Sequence, residues 1–164
     1  MVSRIAIPLA CAAALSAMTL ARGEAPNAGL TSSAAVQAAS TAVSSCEKMG
    51  FHVTATVVDA AGIVLATVRG DGAAPHTVST SARKAYTAAS SHMSTSQLVK
   101  IVTANADAAG MRDIEGFLLL TGGVPIKAGN DVLGGIGVSG SPGPESDEKC
   151  ATAGLASLGV MPHK

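Results

Sequence analysis

Residues 51–69 read FHVTATVVDAAGIVLATVR, and this stretch decides the fold. Over residues 51–59, Val53, Ala55 and Val57 point one way and His52, Thr54 and Thr56 the other. A period of two marks a strand with one face against a core. Residues 62–69 form a second β-rich run, and Asp59-Ala60-Ala61-Gly62 between the runs carries turn residues. The pair predicts a hairpin, which commits the sheet to antiparallel pairing.

The flanking sequence supplies the other layers. Thr31 caps a helix expected to run to about Met49, with Val36, Ala39, Val43, Cys46 and Gly50 as its buried stripe. Residues 70–75 form a Gly- and Pro-rich loop, followed by a helix over 76–91 with Val78, Ala82, Ala85, Tyr86 and Ala89 on one face. A shorter helix over 94–106 turns Leu98, Ile101 and Val102 inward, and 108–113 is a linker. Residues 117–121 predict a continuous apolar strand, buried on both faces and broken by Gly122-Gly123. Residues 124–127 resume it, Gly129-Asn130-Asp131 turns, and 132–139 is a strand with interior glycines. Such glycines suggest close approach of a helix, another backbone or a flat ligand. Ser146 caps a last helix to Leu158, with Cys150, Ala153, Gly154, Ser157 and Leu158 inward. The expected class is α+β: a single domain with a central antiparallel sheet flanked by helices.

Composition bounds the partners. The chain has 164 residues with 11 basic and 11 acidic side chains, so no basic surface is expected to neutralise phosphates, and nucleic acid is disfavoured. Aromatic residues are 2%, which leaves few platforms for stacking bases. Many small side chains with little charge predict a tightly packed domain that buries surface against copies of itself. Residues 1–21 carry Arg4, an apolar run and small residues at Thr19 and Ala21, the plan of a secretory signal peptide. Residues 22–29 then form a flexible mature terminus, and 30–160 the folded domain. The protein is expected in the periplasm or secreted, with no stable membrane insertion after cleavage. Export leaves Cys46 and Cys150, both on predicted inward faces. They read either as a disulfide or as two buried small residues, because sequence does not give their separation.

Several stretches are familiar together: residues 57–62 (VVDAAG), 69–73 (RGDGA), 81–88 (SARKAYTA), 122–126 (GGVPI), 133–140 (LGGIGVSG) and 145–148 (ESDE). Their order and spacing resemble the GlcG/HbpS family, also called the DUF336 or haem-degrading-domain-like family, over residues 31–158. The resemblance implies a profilin-like fold and a homo-oligomer, tetramer to octamer. It also implies a tetrapyrrole ligand, since some members bind haem.

Haem needs an axial donor, an apolar slot and cations for its propionates. His76, beside the Gly-Asp-Gly loop, and His92, at a helix junction with Met93, are the leading donors and the two candidate metal ligands. His52 reads as a solvated strand residue, and His163 lies in the tail. Met49 and Met111 are softer options. Arg83 is a candidate propionate partner, as are Arg69, Lys84 and Arg112, and each also reads as ordinary surface charge. Asp71, between glycines, is a candidate for orienting a histidine, with a plain Asx turn as the alternative. Tyr86 reads as core, and Asp147 and Glu148 as first-turn acids that favour the helix dipole. Residues 135–140 spell G-x-G-x-x-G, but prolines follow where a helix should start, so no dinucleotide site is expected. No nucleophile, base and orienting acid share a spacing that would mark an active site. The expected function is an exported haem-binding oligomer for haem capture, storage or delivery. The alternatives are a non-haem small-molecule binder or scaffold and, third, an enzyme on a small metabolite at Asp71, His76 and Arg83.

Overall fold

The computed structural model describes residues 29–159; the expected signal peptide and residues 22–28 lie outside them. Helix α1 spans Ser32–Glu47, the hairpin β1 Thr54–Asp59 and β2 Val64–Arg69, helix α2 His76–Ser91 and helix α3 Thr95–Ala104. A 3₁₀ segment Ala106–Asp113 leads to β3 Gly123–Ala128, β4 Asp131–Ser139 and helix α4 Pro144–Ala156. The strands form one antiparallel sheet in the order β2-β1-β4-β3, so β1 and β4 join the two hairpins at its centre. The expected α+β class stands. Asp59 makes the first turn: its carboxylate accepts from the N–H groups of Ala61 and Ile63 at 2.9 Å each.

The two faces of the sheet are chemically different. Val53, Ala55, Val57, Ile126, Ile136 and Val138 pack with the alanine-rich faces of α1 and α4 in one apolar core. The Cys46–Cys150 disulfide ties these two helices, its Cα atoms 5.6 Å apart, so the bonded alternative holds. The opposite face is polar and just as dry. Thr54 and Thr56 are fully buried there under α2, with hydroxyl–hydroxyl hydrogen bonds of 2.6 Å to Thr77 and 2.8 Å to Ser81. Helix α2 lies directly on β4. A Cβ on Gly135 would stand 2.4 Å from the Ala85 carbonyl, and one on Gly137 2.2 Å from the Ser81 carbonyl. Of the three proposed reasons for interior glycines, helix approach is the one that applies at these two.

Four expectations need correction. Residues 117–121 are irregular chain rather than a strand, because side chains of α2 occupy their backbone groups. Arg83 donates to the Phe117 carbonyl, and the Leu118 N–H donates to Thr87 Oγ1 at 2.8 Å. The buried stripe of α1 includes the expected Ala39, Val43 and Cys46 but is widened by Ala35, Ala38 and Ala42, while Val36 is 51% exposed. Packing against α4 selects small residues there, not the larger valine. The buried face of α2 keeps the expected Ala85 and Ala89 and adds Thr77, Ser81, Lys84 and Ala88, while Val78 is 41% exposed and Ala82 and Tyr86 are half-buried. Helix α4 starts at Pro144 with Gly143 as its uncapped N-cap, so Ser146 sits inside the first turn.

Candidate functional site

Helix α2 organises the candidate residues. His76 is its first residue and His92 caps its last turn at φ 60°, and both are exposed. Sixteen residues of helix separate them by about 24 Å, so they cannot share one metal ion. Met93, half-buried, follows His92, while Asp71 is exposed on the loop before the helix. That loop is closed by Arg69, whose Nε donates to the Ala73 carbonyl at 3.0 Å, rather than by Asp71. His52 is exposed next to Gly72 on the same loop. Among the described residues no cluster of three or more His, Cys, Asp or Glu side chains is placed to hold a metal. A histidine acting here would do so as a single axial donor.

Two open clefts flank α2. One, of about 300 Å³, lies at its N-terminal end between His76 and the chain leading into α4. Its floor is an ion pair unexpected from sequence. Lys84, read as a surface cation, is fully buried, and its Nζ donates to Asp147 Oδ2 at 2.7 Å and to the Val138 carbonyl at 2.9 Å. Asp147, read as a dipole-favouring acid, also accepts from the Ser141 N–H at 3.0 Å. Burial holds the Lys84 pKa below the ordinary lysine value, and the hydrogen bond and charge of Asp147 oppose that shift. Lys84 is therefore committed to the fold and is withdrawn as a propionate partner.

The second cleft, of about 400 Å³, runs between the first hairpin and α2. Val58, Val64 and Ala82 give it apolar walls, and Tyr86 an aromatic one. Arg83 and Glu115 bring charge to it. Arg83 is one helical turn before Tyr86, so guanidinium and ring share one side of the helix. Tyr86 was read as core; it is half-buried and lines this cleft, edge-on to Phe117 with ring centroids 6.2 Å apart. An apolar trough with a fixed aromatic ring and a guanidinium suits a flat, largely apolar molecule bearing carboxylates. Of the five site residues expected, only Arg83 lies in it. The missed signal was the spacing of Thr77, Ser81, Lys84 and Ala88. That polar stripe at helical period, once assigned to the sheet, turns Arg83 and Tyr86 away from it.

The comparisons with known proteins fit this architecture. Residues 30–156 match the family model described as haem degrading protein HbpS-like. The chain belongs to the HbpS-like family. A double mutant of Streptomyces reticuli HbpS is 40% identical, with a TM-score of 0.77, over 96% of this chain and 100% of its own. Protein ORFY of Klebsiella pneumoniae, a DUF336 protein, is 25% identical with a TM-score of 0.76, over 87% of this chain and 99% of its own. PduOC, solved as a complex with heme, is 25% identical with a TM-score of 0.70, over 78% of this chain and 94% of its own. No curated protein matches the chain. HbpS-like membership accounts for the two-hairpin sheet and its helices. It does not by itself say which residues of this chain meet a ligand.

Proposed function

We propose that this chain is an exported haem-binding module, working as a homo-oligomer in the capture, storage or delivery of haem or a related tetrapyrrole. The observation that carries the reading is the Val58–Val64–Tyr86 cleft with Arg83 beside it, which offers an apolar wall and a propionate partner together. Its support from relatives is the haem complex of PduOC and the HbpS-like family description. His76 and His92, with Met93 after the latter, lie at the two ends of α2 and do not line this cleft, and Asp71 lies on the loop before His76. The cleft is open along one side, so a macrocycle resting in it keeps an exposed edge. Ile63, 63% exposed, and Val64, 51% exposed, beside it on the first hairpin give a second copy an apolar surface to cover. Titration of the mature protein with hemin should give a saturable Soret shift. A spectrum identical to free hemin at every ratio overturns the proposal.

A further inference from the structure

We propose that Tyr86 supplies the axial oxygen ligand to ferric haem in the hairpin–α2 cleft, an inference that rests on the haem-binding reading and names its donor. Among the described residues no histidine lines this cleft, whereas Tyr86 does. The ring is held on both sides by backbone that only glycine permits. A Cβ on Gly62 would stand 2.6 Å from Tyr86 Cδ2, and one on Gly116 3.0 Å from Cε1; both glycines have positive φ, 79° and 82°. Phe117 meets the ring edge-on at 76°, and the Phe117 carbonyl in turn accepts from Arg83. Three contacts, from Gly62, Gly116 and Phe117, therefore fix the direction of the phenol.

Among the described residues the Tyr86 hydroxyl has no hydrogen-bond partner, and no buried side-chain oxygen is left without one, so the hydroxyl belongs to the open side of the cleft that the residue lines. A core tyrosine normally spends its hydroxyl on a hydrogen bond. Here the ring is held by its neighbours and, among the described residues, the oxygen has no partner. Phenolate is a hard oxygen donor suited to ferric iron, and tyrosine is an established haem ligand type. In the step proposed, Tyr86 gives its proton to solvent water and offers the oxygen lone pair to the iron. No electron is transferred and no covalent bond breaks besides O–H.

Hemin titration of the wild type, Tyr86→Phe, His76→Ala and His92→Ala, followed by visible absorption and resonance Raman, tests the assignment. Phenylalanine keeps every ring contact to Gly62, Gly116 and Phe117, so the fold is retained and only the oxygen is lost. The wild type should show phenolate vibrations enhanced through the iron, which Tyr86→Phe abolishes and both histidine variants keep. Affinity in Tyr86→Phe should fall by at least roughly ten- to a hundredfold, the loss seen when only an outer-shell partner of a ligand is removed. Saturable binding with an unchanged spectrum in Tyr86→Phe, or its loss in a histidine variant instead, overturns the tyrosine assignment and leaves haem binding standing. An absence of saturable binding by the wild type overturns both.

Discussion

Lys84 shows how one residue can carry a structural burden that its type conceals. An ammonium removed from water is tolerated only with a carboxylate and further acceptors around it, and Asp147 and the Val138 carbonyl supply them. Lys84→Met leaves Asp147 buried with one backbone donor and should cost about 3–5 kcal/mol, the range for breaking a buried pair. The double variant Lys84→Met/Asp147→Asn removes both charges and should recover a large part of that loss. Urea unfolding of the three proteins reads the difference. A single-variant cost below about 1 kcal/mol, the value of an exposed pair, would contradict the description. The pairing was not legible in the sequence because its partners are 63 residues apart. Lys84 and Asp147 each have a ready surface explanation, and only the register of α2 on β4 brings them together. Tyr86 was hidden for a related reason. Its apolar bulk fits a core stripe until the turn of the helix is known.

At the scale of elements, the contact of α2 with β4 is the joint on which both clefts depend. The strand offers backbone where side chains would stand, and the helix descends until its own carbonyls meet Gly135 and Gly137. Gly137→Ala would place a methyl group 2.2 Å from the Ser81 carbonyl, with the Ala85 nitrogen 2.5 Å away. Both obstacles are helix backbone and cannot swing aside, so the helix must lift. The expected cost is at least about 1–3 kcal/mol, the usual penalty for overfilling a packed interior. Circular-dichroism melting would register it, and an unchanged midpoint would mean that the helix stands farther off than described. The glycine run was readable as a site of close approach, and the hairpins were readable from alternation and turn chemistry. Residues 117–121 were misread because an apolar run has no period. What decided them was the side chains of Arg83 and Thr87, which claim the backbone groups that a strand partner would need.

For the molecule as a whole, the Cys46–Cys150 disulfide closes a loop of 104 residues, from the first described helix to the last. The crosslink removes conformational freedom chiefly from the unfolded chain, and the effect grows with loop length. For a loop of this size the chain-entropy estimate is about 4–5 kcal/mol, with native strain able to subtract from it. Both half-cystines are fully buried between α1 and α4. Reductant should therefore act slowly on the folded protein and quickly once it opens. Such a bond persists in an oxidising compartment. Cys46→Ala/Cys150→Ala keeps small apolar side chains at both positions and removes only the tie. Its unfolding free energy in urea should drop by roughly 2–5 kcal/mol while hemin titration of the folded protein stays unchanged, since the bond lies across the sheet from the Tyr86 cleft. If stability were unaltered, the two helices would already be held by packing alone. If hemin binding were lost with stability, the two faces of the sheet would be coupled in a way their separate cores do not provide.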